Sequence, residues 1–335
     1  MPKRPTLADV AALAKVDRTV VSKVVSEDPN LRVRDETRER VKRAVKELGY
    51  RPNSLARSLR ISRTGTLGVI LPSFSNPIWA TMLEGAEAEA QRRGYVLLAG
   101  TVDRTTNASS RFLELARTGA VDGVLVAAAL TDEDLPTMYS QLPWLLVNRR
   151  TVSSHRHVLL DDERAALIAT DHLLQLGHTR IAHLSGPLEV DSAQRRKRGF
   201  LRALQAYDLE PGPIVDASNT FEGGQRALTQ VLTEDPTITA LAVGNVAAAT
   251  GVLAAAAQRG IRIPDDLSVI AIHDIDIAAA LNPPLTTVRM PLAELGAQAI
   301  SLLLDRPADE AIEEVISGPL ELVKRFSTAP PRRNS

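Results

Sequence analysis

From Thr64 onward, short apolar runs alternate with segments of helical period for more than 200 residues. The apolar runs read as strands near 66–71, 95–100, 121–126, 144–147, 180–184, 239–243 and 267–271. Helical periods near 77–93, 106–118, 162–176, 190–206, 222–233 and 245–258 lie between them. Such alternation implies an α/β body in which helices cover parallel sheets. The strands are too many for one tidy sheet, so two lobes are expected. A small ligand would then bind at the strand C-terminal ends, in the cleft between lobes.

The first 48 residues follow a different rule. Thr6 is placed to N-cap a helix from Leu7 to about Ala14, with Leu7, Val10, Ala11 and Ala14 on one apolar stripe. Asp17 is placed to cap a second helix, Arg18 to about Val25. Its inward residues are Val20, Val21 and Val24, which leaves Arg18, Thr19, Ser22 and Lys23 facing outward. A third helix, Asp35 to Leu48, carries Val41, Ala44, Val45 and Leu48 on its stripe and ends at Gly49. Two helices joined by a short turn and closed by a third form a small all-α helix-turn-helix pattern. Its second helix is suited to the DNA major groove. A small helical bundle that binds protein is the competing reading.

Charge separates the same two regions. The chain has 335 residues and no net charge, yet residues 1–63 hold 16 Lys/Arg against 8 Asp/Glu. The remainder is acidic by the same margin, so a basic head sits on an acidic body, the pattern of a polyanion-binding module. Residues 50–63, beginning Tyr50-Arg51-Pro52-Asn53, are too short and polar for a stable helix alone and read as a conditionally folding linker.

Composition removes several classes. With no cysteine, disulfides, thiolate zinc sites and thiol nucleophiles are excluded. No run of 18 apolar residues suggests a membrane span. Met1-Pro2-Lys3-Arg4 leads into an amphipathic segment rather than a signal sequence, so a cytoplasmic location is expected. No phosphate-binding Gly-Lys-Ser/Thr loop, Gly-x-Ser-x-Gly elbow or His-Glu-x-x-His is present, and an enzyme is not expected. His155 and His157 lack a carboxylate at a persuasive metal-binding spacing, and no metal or cofactor is expected.

Specific motifs then join these pieces. The head reads Thr6-Leu7-Ala8-Asp9-Val10-Ala11, Leu48-Gly49-Tyr50-Arg51-Pro52-Asn53 and Ala56-Arg57-Ser58-Leu59. The body carries Ser75-Asn76-Pro77, Gly177-His178, Gly199-Phe200, the run from Gly260 to Ile270, and Pro284-Leu285-Thr286-Thr287-Val288. In order and spacing, these resemble the lactose-repressor (LacI/GalR) family of bacterial transcription regulators over nearly the whole chain. The resemblance implies a helix-turn-helix head (1–49), a hinge segment (50–63) and a two-lobed periplasmic-binding-protein-like core (64–329). Lobe 1 would comprise about 64–161 and 290–320, and lobe 2 about 162–289 and 321–329. Residues from Ala329 onward, with 330–335 as the tail proper, are expected to be disordered.

The same resemblance implies a homodimeric regulator, a repressor in the main reading. It would bind a pseudo-palindromic double-stranded operator, and a small effector, a sugar or derivative, would control it. Thr6, Arg18, Thr19, Ser22, Lys23, Asn53, Ala56 and Leu59 would serve DNA binding, with Leu59 as a minor-groove wedge. Trp79, Asn148, Arg149, Asp162, Arg196, Asn245 and Asp274 would serve the effector. In particular, Arg196 would grip the ligand and the Asp274 carboxylate would accept ligand hydroxyls. A solute-binding protein or an enzyme on the same core is the alternative.

Departures from the family pattern mark where specificity differs. Lys15 replaces the usual turn glycine, Asp17 a serine, Val20 a threonine, and Arg34 a capping serine whose role Asp35 is expected to assume. In the cleft, Val246 stands for an aspartate and Asp162 for an asparagine, while Ile272-His273 replaces a glycine-aromatic pair.

Overall fold

The structure is a computed structural model that describes residues 5–26, 28, 30–50, 63–101, 118–128, 142–151 and 154–332. It divides into two units, residues 1–64 and 65–335. The expected helix near 106–118 and hinge positions Asn53, Ala56 and Leu59 lie outside the described residues, save for Thr118 at the end of that helix.

Among the described residues of the first unit are three helices, α1 (Leu7–Ala14), α2 (Arg18–Val25) and α3 (Asp35–Glu47). Val10, Ala14, Val21, Val24, Val41 and Ala44 close its core. Thr6 caps α1 in a reciprocal box: its hydroxyl accepts from the Asp9 backbone, and Asp9 accepts from the Thr6 N–H at 2.7 Å. Lys15 ends α1 at φ +52°, the left-handed conformation that glycine reaches at least cost. Asp17 caps α2, accepting the Thr19 N–H at 2.7 Å. The expected transfer of capping to Asp35 does not occur. Arg34 holds the cap position without a side-chain bond, and Asp35 lies inside the first turn of α3. There its charge favours the helix dipole rather than closing an N–H. Arg40 ties α3 to α1, its Nε donating to the Ala14 carbonyl at 2.8 Å.

The second unit contains β1 (Thr66–Leu71), α4 (Ile78–Arg92), β2 (Val96–Thr101), β3 (Gly123–Val126), β4 (Trp144–Val147) and β5 (Arg156–Leu160). After these come α5 (Asp162–Gln175), β6 (Ile181–Ser185), α6 (Asp191–Gln205), β7 (Ile214–Asp216), α7 (Phe221–Glu234), β8 (Ala240–Val243) and α8 (Val246–Gln258). The chain closes with β9 (Ser268–Ile272), α9 (Asp276–Ala280), β10 (Thr286–Arg289), α10 (Leu292–Asp305), β11 (Ile312–Ile316) and β12 (Glu321–Val323).

Among the described residues two six-stranded sheets form, ordered β11-β5-β4-β3-β1-β2 and β12-β10-β9-β8-β6-β7. All pairings are parallel except β10 with β12. The expectation of two α/β lobes is met, and so are all seven expected strands within one or two residues. Strands β5, β7, β10, β11 and β12 and helices α9 and α10 went unread. β5 was hidden by its charge: Arg156 is buried, with its guanidinium donating to the carbonyls of Trp144, Pro307 and Glu310.

Close helix packing sets the lobes. A methyl group on Gly199 would lie 2.0 Å from the Glu163 carbonyl oxygen, so only glycine lets α6 meet α5. Gly296 does the same for α10 against α4, where a methyl would lie 1.9 Å from the Met82 carbonyl. The expectation of a disordered tail from Ala329 fails through Arg332. The Ala329 carbonyl meets His178 at 2.9 Å and Ser268 at 3.0 Å, and Arg332 pairs with Asp266 at 3.1 Å.

Candidate functional site

Two sets of side chains carry functional potential. The first lies on α2. Val21 and Val24 turn inward and are buried, which fixes the rotation of the helix and leaves Arg18 and Thr19 exposed. Ser22 and Lys23 are half-exposed on the same turns. Among the described residues, Lys23 has one loose acidic partner, Asp28 at 3.9 Å. Val20, expected to face inward, is half-buried and packs against the head core. The Asp17 cap bond holds its carboxyl below the usual range, so the helix start carries a fixed negative charge beside Arg18.

The second set sits at the C-terminal ends of β4, β5 and β8. Asp162 opens α5 and is fully buried. Its carboxylate accepts from Arg195 Nη2 at 2.6 Å and Arg196 Nε at 2.7 Å. Arg196 Nη1 continues to the Gly244 carbonyl at 2.8 Å. Burial opposes ionisation of Asp162, but the two guanidiniums outweigh it and hold the carboxyl below its ordinary value. Arg195 shows the reverse balance: burial pushes its pKa down despite Asp162 beside it.

Contacts from this set reach across the two sheets. Asn148 follows β4 at φ +53°, a conformation asparagine tolerates better than most residues. Its Oδ1 accepts the Leu160 N–H at 3.2 Å and faces Arg195 Nη2 at 3.4 Å. Arg150 Nε, from the same loop, pairs with Asp191 at 3.0 Å at the start of α6. Asp191 also pairs with Arg195 one turn on. Arg149 donates to the Ala128 carbonyl.

His273 completes the neighbourhood. It is fully buried at φ +75°, an unfavourable backbone for a bulky residue, and neither ring nitrogen has a partner among the described residues. Burial pushes its pKa down to about 3, so the ring is neutral.

Of the expected cleft residues, Asp162 and Arg196 meet directly, and Asn148 joins them through Arg195. Asn245 is buried with its Oδ1 capping α8 through the Ala247 N–H at 2.7 Å. Trp79 lies in the first turn of α4, half-buried, packed on the main core. Asp274 is engaged elsewhere: it accepts from Thr287 at 2.7 Å, Arg289 Nη2 at 2.6 Å and Arg325 Nη1 at 2.7 Å. These donors overcome the burial of its carboxyl and hold its pKa low. Sequence reasoning missed Arg195, Arg150 and Asp191. The four-residue spacing from Asp191 to Arg195 at the start of a helix was the available signal. No group of three metal-ligating side chains occurs among the described residues.

Comparison with known proteins places these features. Residues 6–53 match the model of bacterial regulatory proteins of the lacI family, and residues 170–328 that of a periplasmic binding protein-like domain. An HTH-type transcriptional repressor PurR from Aliivibrio salmonicida is 32% identical, covering 93% of this chain and 95% of its own. The chain belongs to the lacI family of bacterial regulatory proteins. As a lacI family member it is a DNA-binding transcription regulator and not an enzyme. The crystal structure of the lac repressor dimer bound to operator and the anti-inducer ONPF covers 98% of this chain and is itself covered completely, at 27% identity and TM-score 0.86. A lacI family regulator from Enterococcus faecium with bound ribose covers 80%, is also covered completely, and shows 28% identity and TM-score 0.71. No described helix of this lacI family chain is long and apolar enough to cross a membrane.

Proposed function

We propose that this protein is a cytoplasmic repressor that binds a pseudo-palindromic operator as a homodimer and responds to a sugar or sugar derivative between its lobes. The observation that carries the reading is the rotation of α2. Burial of Val21 and Val24 presents Arg18, Thr19 and Lys23 outward together, on a basic unit. Arg18 supplies a bidentate fork to guanine O6 and N7, while Thr19, Ser22 and Lys23 bind or position. Thr6 supports the head through its cap. Asn53, Ala56 and Leu59 act in the hinge, with Leu59 as the wedge. Two heads on a two-fold axis would read half-sites about 34 Å apart. The repressor, the operator-bound dimer and the ribose-bound regulator among its relatives support the assignment.

The effector would sit against Asn148, Asp162 and Arg196, with Trp79, Arg149, Asn245 and Asp274 around them. The Arg150–Asp191 pair joins the two lobes here, so a ligand that alters lobe closure biases one arrangement over the other. No cofactor is needed for this role.

The test is selection of binding sites from random duplex DNA with the full-length protein at a fixed salt concentration. A palindrome with two half-sites one turn apart is expected. Arg18→Ala should relax preference at one position per half-site, by about 1–3 kcal/mol, measured by competition binding. Selection of no motif at low salt would overturn the operator reading.

A further inference from the structure

We propose that the cleft's ligand is an anion, a sugar acid or a phosphorylated sugar, whose acidic group is received by Arg195. The proposal rests on the effector reading above and sharpens its chemistry. It follows from an inventory of donors and acceptors.

The acceptors of the expected site already face donors. Asp162 takes Arg195 and Arg196, and the Asn148 oxygen takes the Leu160 N–H. The Asn245 oxygen caps a helix, and Asp274 is held by Arg289 and Arg325. A polyol ligand would compete with cations for the Asp162 and Asp274 carboxylates.

Donors are left over. Arg195 is 7% exposed, and its Nε has no partner among the described residues. Its contact to Asn148, at 3.4 Å, is long enough to be displaced. Charge points the same way: the guanidiniums of Arg150, Arg195 and Arg196 share two carboxylates, Asp162 and Asp191. Arg150 is the exposed member of the three, and an incoming carboxylate or phosphate supplies a third negative charge through charge-assisted bonds. His273 is an independent sign of an unfilled site. Its buried ring, within electrostatic reach of Asp162 and Arg196, leaves both nitrogens without partners among the described residues. A neutral imidazole offers one donor and one acceptor, suited to a hydroxyl next to the acidic group.

Calorimetric titration of the full-length protein with matched probes at constant ionic strength tests this. D-gluconate is compared with D-sorbitol, and ribose 5-phosphate with ribose. The charged member of at least one pair should bind tenfold or more tightly than its neutral partner, and the pair that responds identifies carboxylate or phosphate. Arg195→Gln should remove that advantage. Arg150→Gln, at an exposed position that leaves the buried pairs intact, should reduce it several-fold. Equal or tighter binding of the neutral members, or no binding by either charged member, would overturn the anion assignment. The regulator reading is separable: a change in operator affinity caused by a neutral sugar leaves it standing while the anion proposal falls.

Discussion

The head and the cleft both use arginine, and they use it in opposite ways. On α2, Arg18 is left in water with no carboxylate partner among the described residues, and Lys23 has only a 3.9 Å one. In the cleft, Arg195 and Arg196 are 7% and 3% exposed and share one fully buried carboxylate. An exposed cation remains available to any phosphate and exchanges counterions, so its binding falls with salt. A buried, paired cation is removed from bulk screening, and its geometry is fixed before a ligand arrives. The head is built to attract a polyanion and sort it by bases. The arginines beside Asp162 are held in place by ion pairs inside the protein.

The sharpest way to break this contrast is to remove the buried anion. Asp162→Asn leaves two buried guanidiniums without their carboxylate, and a loss of about 3–5 kcal/mol from the core is expected. Both tryptophans, Trp79 and Trp144, lie in the core, so urea unfolding followed by tryptophan fluorescence reads that unit. An unchanged midpoint would mean the pairs contribute nothing net.

Acid should divide the two regions next. Burial holds His183 at about 4 and His273 at about 3, against about 6.5 in the unfolded chain. Protons therefore favour the unfolded core. The stability is complete above pH 6.5 and is lost as pH falls toward 4, by about 2 kcal/mol for each of these two histidines at pH 5. His157, His172 and His178 are depressed by burial too and add in the same direction. The head contains no histidine, so its helices should be indifferent over this window. Urea midpoints by tryptophan fluorescence at pH 7.5 and 5.0 check the core. Amide exchange across α1–α3 at the same two pH values, corrected for intrinsic rates, checks the head.

The smallest effect belongs to the head's turn. Lys15 holds φ +52°, so Lys15→Gly should stabilise the head by about 1 kcal/mol. Slower amide exchange in α1 and α2 of the full-length chain is the expected reading. Faster exchange would show that the lysine side chain contributes more than its backbone costs.

What could be read beforehand followed from local chemistry. The seven expected strands are apolar runs; the three head helices carry apolar stripes, and the first two carry caps, none of which needs a distant partner. β5 escaped because Arg156 and His157 are buried in it, and that arginine donates to carbonyls up to 154 residues away. β11 and β12 are edge strands bearing Glu313, Glu314 and Glu321, so they lack the apolar signal of the strands inside. Arg196 and Asp162 were legible as cleft candidates, but their pairing was not, since α6 reaches α5 only because Gly199 has no side chain. Asp274 was read as a free acceptor. Arg289 and Arg325, which occupy it, come from β10 and from just beyond β12.

The chain passes between the two sheets three times: at Asp161 between β5 and α5, at Met290-Pro291 between β10 and α10, and at 317–320 between β11 and β12. The strands that launch and receive these passages are themselves neighbours, β5 beside β11 and β10 beside β12. Three short straps mounted side by side behave mechanically like a strip of hinge: they fold readily about one axis and resist torsion and sliding. With helices packed backbone to backbone through Gly199 and Gly296, any bending of one lobe against the other would concentrate in that strip, leaving an effector one angle to act on.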